Sequence, residues 1–126
     1  MALTVKTRRV GNVAIVDLSG KITLGESTGI LRDELRSLLS QGTKHIILNM
    51  KDVTYVDSAG LGELVGAYTT ATNQGGAVKL LHLQGKMRDL MQITKLFTIF
   101  QDFEDEQTAV NSFGATATAQ TAGPTA

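Results

Sequence analysis

Hydrophobic positions along this chain change their period in a regular order. From Leu3 to Arg8 apolar and polar residues alternate, the two-residue repeat of a half-exposed strand. Val13-Ala14-Ile15-Val16-Asp17-Leu18 is a second, more buried strand. Gly11-Asn12 between them is a turn signal, so the pair is expected as an antiparallel hairpin. Leu31, Leu35, Leu38 and Leu39 then recur at helical spacing, with Arg32, Asp33 and Arg36 on the other faces and Gly42 as the stop. Ahead of them, Thr23-Leu24-Gly25-Glu26 has the spacing of a capping box.

His45 to Met50 is almost continuously apolar, as a central strand covered on both faces would be. Lys51 to Asp57 reads as a loop into a second helix, whose apolar stripe is Leu61, Leu64, Val65 and Tyr68. Asn73-Gln74-Gly75-Gly76 ends that helix, and Ala77 to Leu83 is a fourth strand. Met87, Leu90 and Met91 mark a third helix as core residues. Phe97 to Phe100 is expected as a short further strand, and Glu104 to Phe113 as a closing helix with Val110 and Phe113 facing in.

Strands alternating with helices imply an α/β fold in one domain, with right-handed crossovers. The expectation is a mixed, mostly parallel sheet of four or five strands with helices packed mainly on one face. The domain is expected over residues 1–113. Residues 114–126 contain only Ala, Thr, Gly, Gln and Pro and predict a disordered tail.

Composition narrows the function. Twelve basic residues balance twelve acidic ones, so no net charge draws the chain to nucleic acid or an anionic membrane. Cysteine is absent, which excludes disulfides, Cys-ligated metals and a thiol nucleophile. No apolar run approaches the roughly 20 residues of a membrane span, and no signal-peptide core follows the N-terminus, so a cytoplasmic location is expected. Asp52, Asp57 and Asp89 lack the spacing of a metal site, and no cofactor is expected. The acidic run Asp102, Glu104, Asp105 and Glu106 reads as a solvated helix start.

The informative stretch is Val53-Thr54-Tyr55-Val56-Asp57-Ser58-Ala59-Gly60-Leu61-Gly62. Asp57 suits a helix N-cap, since its carboxylate can accept from orphan backbone N–H groups. Ser58 then takes the first helical position with its hydroxyl at the rim. Gly60, Gly62 and Gly66 each cost a helix roughly 1 kcal/mol relative to Ala, which points to close approach of the backbone to the sheet or a partner. For Gly66 the packing reading is preferred. Phosphorylation of a serine placed like Ser58 adds about −1.5 to −2 charges where helix N–H groups tolerate them. With Asp57 alongside, a neutral rim becomes anionic and repels whatever was docked there.

Asp57-Ser58-Ala59-Gly60-Leu61-Gly62 with its preceding Val53-Thr54-Tyr55-Val56 resembles the signature of the STAS family, and within it the bacterial anti-sigma-factor antagonists. Leu18-Ser19-Gly20-Lys21-Ile22, Gln74-Gly75-Gly76 with Val78-Lys79-Leu80, and Leu90 to Phe100 resemble further family segments in the same order. The resemblance implies that the unphosphorylated chain binds an anti-sigma factor with serine-kinase activity and so releases a sigma factor. That kinase would phosphorylate Ser58 and end the complex, and a serine phosphatase would reset it. The implied docking rim comprises Thr23, Leu24, Gly25, Glu26, Asp57, Ser58, Ala59, Gly60 and Gly62, on a monomer or weak homodimer. The alternative is a STAS scaffold or regulatory module in a stress-signalling or transporter-associated assembly. Three positions depart from the pattern: Ala59 where Ser or Thr is frequent, Thr23 where Asp is frequent, and Lys95 where glycine is common.

An enzyme is the weaker reading. Ser58 as nucleophile with His82 as base would sit at the carboxyl ends of parallel strands, but Asp-Ser-Ala-Gly is not the Gly-x-Ser-x-Gly elbow of hydrolases. His82 reads as a strand-end residue making one hydrogen bond, and His45 as the start of a strand. Gly60-x-Gly62 lacks the Lys-Ser/Thr ending of a phosphate loop.

Overall fold

The computed structural model describes residues 3–114. Of the tail expected over 114–126, Gly114 is described and 115–126 lie outside the described residues. The sheet has five strands in the order β1-β2-β3-β4-β5: β1 Leu3–Val10, β2 Val13–Ile22, β3 His45–Val56, β4 Ala77–Leu81 and β5 Asp102–Phe103. β1 and β2 form the expected antiparallel hairpin around Gly11, whose φ is 62°. The remaining pairs are parallel, as the helical crossovers require.

The helices are α1 Glu26–Ser40, α2 Ser58–Asn73, α3 Gly85–Thr94 and α4 Glu106–Asn111. The first three cover one face. Leu31, Leu35 and Leu38 of α1 and Leu64 of α2 bury against Ala14, Val16, Ile46, Leu48 and Leu80, and Met87 and Met91 of α3 join them. On α2 the fully covered line is Gly60, Leu64, Ala67 and Ala71, while Leu61, Val65 and Tyr68 are half-buried at its margins. Small residues at the centre of the stripe let the helix lie close on the sheet.

The opposite face is thinly covered. There α4 places Ala109 and Val110 over Val13, Ile15, Ile47 and Leu81. Lys79 is 9% exposed on this side. Its ammonium donates to Ser112 Oγ at 2.9 Å and lies 4.3 Å from the centre of the Phe113 ring, while burial pushes its pKa down. The ring of His45, which does begin a strand, lies 4.7 Å from that of Phe113.

Four expectations change. Lys51–Val56 is not a loop; it continues β3, bulged twice against β2, and the bulges break the alternation that would have marked it. Phe97–Phe100 is not a strand. Lys95 takes a left-handed φ of 63° at the end of α3, and Leu96–Thr98 closes as a 3-10 turn. That backbone is what the glycine common at this position would supply without strain. The last helix is shorter than expected, Glu106–Asn111. The acidic run before it is engaged rather than merely solvated. Asp105 caps α4 through Thr108 N–H at 2.8 Å, Glu106 pairs with Arg8 at 2.7 Å, and Asp102 pairs with Arg88 at 3.0 Å.

Candidate functional site

The continuation of β3 delivers Asp57 and Ser58 to the rim at the carboxyl end of the sheet. Backbone pairing fixes the approach: Lys21 lies opposite Tyr55 and Ile22 opposite Val56, and the Asp57 N–H donates to Ile22 O at 3.2 Å. Asp57 is the N-cap of α2, and its Oδ1 accepts from Gly60 N–H at 2.8 Å. Its Oδ2 accepts from Leu24 N–H at 3.0 Å. One carboxylate thus joins the helix start to the loop between β2 and α1. These backbone N–H donors, Gly60 first and Leu24 next, hold its pKa below the usual carboxylate value, so it is ionised at neutral pH.

Gly60 is required by contact. A Cβ at this position would lie 2.0 Å from Ile22 O, so α2 touches the end of β2 backbone to backbone. Among the described residues, Gly62 and Gly66 have no neighbour within 4 Å of such a Cβ. The packing role expected of Gly66 is therefore not seen, and neither of these two glycines is forced by the domain's own packing.

Ser58 is exposed at the first position of α2, and Ala59 is half-buried beside it. Across the rim, Thr23 is half-buried, while Leu24, Gly25 and Glu26 are exposed. The capping box expected from Thr23 and Glu26 does not form. Gly25 is the N-cap, with φ 109° and no side-chain cap, because a positive φ there turns the chain before Glu26 starts the helix. Leu24 presents an apolar side chain that is 79% exposed. Tyr55, 55% exposed, does the same from the end of β3. Tyr55 belongs to the stretch that resembles the family signature, but it was expected in a loop and not on the docking rim; a lone aromatic among Lys51, Asp52 and Thr54 was the available signal. Leu24 and Tyr55 flank a charged, hydroxyl-bearing helix start with two apolar anchors.

Ser58 and His82 do not form a nucleophile–base pair by hydrogen bond among the described residues. His82 follows β4 with φ 58°, donates its backbone N–H to Phe103 O at 2.8 Å, and lies near the carboxylates of Asp105 and Glu106. Among the described residues no helix is long and apolar enough to cross a membrane.

Comparison with known proteins agrees with this geometry. The chain is 35% identical over 96 residues to the anti-sigma-B factor antagonist of Bacillus subtilis, covering 76% of this chain and 86% of that one. The fold superposes on an anti-sigma factor antagonist from Mycobacterium paratuberculosis with a TM-score of 0.75 at 17% identity, covering 88% of this chain and 93% of that one. It also superposes on the Bacillus cell fate determinant SpoIIAA in its phosphorylated form, with a TM-score of 0.69 at 20% identity and coverage of 88% and 100%. The STAS domain family matches residues 4–109, and with the exposed Asp57-Ser58 helix start set on a mixed five-stranded sheet, the chain belongs to the STAS domain family.

Proposed function

We propose that this chain is an anti-sigma-factor antagonist controlled by phosphorylation at Ser58. The observation that carries the reading is the Asp57 carboxylate. It binds the start of α2 and the Leu24 loop at once, so that Ser58, Leu24 and the rim share one rigid surface. The name of the relative that is 35% identical supports the same role.

In this mechanism the unphosphorylated rim docks on an anti-sigma factor that is also a serine kinase, and a sigma factor is released. Leu24 and Tyr55 supply apolar contact, and Gly62, open on the exposed side of α2, lets the partner's backbone come close. Transfer of a phosphoryl group to Ser58 Oγ adds to the charge of Asp57, giving the rim about −2.5 to −3 in total. The exposed helix start accommodates this within the domain. A docked partner does not, because it must desolvate two adjacent anions. A serine phosphatase restores the neutral hydroxyl. The chain binds rather than catalyses, works in the cytoplasm as a monomer or weak homodimer, and contacts neither nucleic acid nor membrane.

The test is a pull-down with wild type, Ser58→Ala and Ser58→Asp as baits, read by mass spectrometry. A small kinase-like ATPase retained by wild type and Ser58→Ala and lost with Ser58→Asp is the expected result. Identical capture by all three baits would make the chain a constitutive scaffold and end the switch reading.

A further inference from the structure

The two central strands end at different heights. β4 stops at Leu81, opposite Asn49, whereas β3 runs on to Val56. Over Lys51–Val56, β3 pairs with β2 on one side, and among the described residues no strand lies on the other. α3 borders that open side. Between the free edge and α3 is a groove of about 650 Å³. The Gln84 side-chain amide donates to Lys51 O at 2.8 Å and ties the two walls together at one point.

The chemistry of the groove is one-sided. Val56, Met87 and Leu90 give it an apolar lining, Tyr55 stands at its rim, and Lys51 and Lys86 are exposed cations on opposite walls. None of the residues described as lining it is acidic. Lysine on a free strand edge also serves to block unwanted pairing. A blocked edge, however, has no use for a trough walled by Met87 and Leu90. An unpaired backbone on one wall, apolar side chains on the other and cations on both match an extended peptide that alternates acidic and apolar residues.

We propose that this groove binds such a peptide segment of a partner protein, added as a strand along Lys51–Val56. Main-chain hydrogen bonds to the open edge supply the affinity. Alternate side chains enter the apolar lining, and the intervening carboxylates meet Lys51 and Lys86. The surface uses the side of β3 away from β2 and shares Tyr55 with the rim proposed around Ser58.

Random linear heptapeptides displayed on phage and selected on the whole chain test the proposal. The enriched peptides are then synthesised and measured by fluorescence polarisation. Asp or Glu alternating with Val, Ile or Leu is the expected pattern. Binding should fall at least ~10-fold in the Lys51→Glu/Lys86→Glu double variant. Methylation of a central peptide nitrogen should weaken it similarly, and amide shifts should move over 51–56 and 84–90. Both lysines are exposed, so circular dichroism of the double variant is expected to match wild type. Absence of acidic enrichment overturns the proposal. So do peptides indifferent to both the charge reversal and the N-methylation, which would mark a site elsewhere. Wild-type dimerisation abolished by Lys51→Gln/Lys86→Gln would make a second copy the occupant and also overturn it.

Discussion

The starts of α1 and α2 lie at the same rim, joined through one side chain, and they are built by different means. α2 begins on Asp57, whose carboxylate caps its first turn. α1 begins on Gly25 at φ 109° with no side-chain cap, and the chain entering it is held by the other oxygen of Asp57 through Leu24 N–H. Inside the first turn of α1, the Ser27 hydroxyl is buried without a hydrogen-bond partner among the described residues. One helix start is thus satisfied from within its own sequence and the other is secured from outside. The position of the Leu24 loop is therefore set by the residue next to Ser58. Under the proposed function, a change of charge at Ser58 therefore reaches the Leu24 loop through one neighbouring side chain.

That contrast can be broken most forcefully at Gly60. Gly60→Ala would drive a Cβ to 2.0 Å from Ile22 O. Urea denaturation should show a loss of about 3 kcal/mol or more, because the neighbour is backbone and cannot swing aside. A midpoint near that of wild type would mean that α2 can slide along the sheet and that the junction is not fixed there.

Asp57→Ala should release both helix starts together. Hydrogen exchange is the readout, with the Leu24 and Gly60 amides each expected to exchange at least ~10-fold faster. If only Gly60 responds, the loop is held by something other than Asp57. Acid titration sharpens the same point. The folded pKa of Asp57 lies below its unfolded value of roughly 3.9, so its contribution is complete above that value. It fades only as pH falls through the lower folded pKa. Protection of both amides should therefore survive to about pH 4 and decline together below it.

The remaining effects are smaller. Ser27→Ala should raise stability by about 1 kcal/mol, since it removes a buried hydroxyl that lacks a partner. Gly62→Ala should raise it by roughly 0.5–1 kcal/mol, in opposite sign to Gly60→Ala two residues earlier, because its Cβ meets open space. If the proposed function holds, that stabler variant binds its partner less well. Ser58→Ala should change stability by less than about 0.5 kcal/mol and, under the proposed function, abolish the phosphorylation that mass spectrometry is expected to detect in wild type.

Much of this architecture was legible in the chain because it rests on periodicity. Leu31, Leu35 and Leu38 declared α1, and His45–Met50 declared a covered strand. What failed was local and polar. Lys51, Asp52 and Thr54 looked like loop because two bulges put the extension of β3 out of step with a two-residue repeat. Phe97–Phe100 has strand-like alternation, but the left-handed Lys95 turns the chain first, and the two-residue β5 is too short to announce itself. At the site, the type and spacing of Asp57, Ser58 and Gly60 were readable, since a cap and a close approach have residue signatures. The reach of Asp57 to Leu24 was not, because it joins residues 33 apart and depends on how β2 and β3 end side by side. The capping box suggested by Thr23 and Glu26 failed for the complementary reason: a positive φ at Gly25 outweighs a matching pair of side chains.

The tie between Arg8 and Glu106 bears on how the molecule is made. Arg8 in the first strand donates at 2.9 and 2.7 Å to a carboxylate 98 residues later, beside Ala109 and Val110 that roof the outer face of the sheet. During synthesis the strands carrying Val13, Ile15, Ile47 and Leu81 leave the ribosome well before that roof exists. The nascent protein therefore displays a bare apolar sheet face until α4 emerges, and a chain that terminates early, before Glu106, keeps that face open to aggregation.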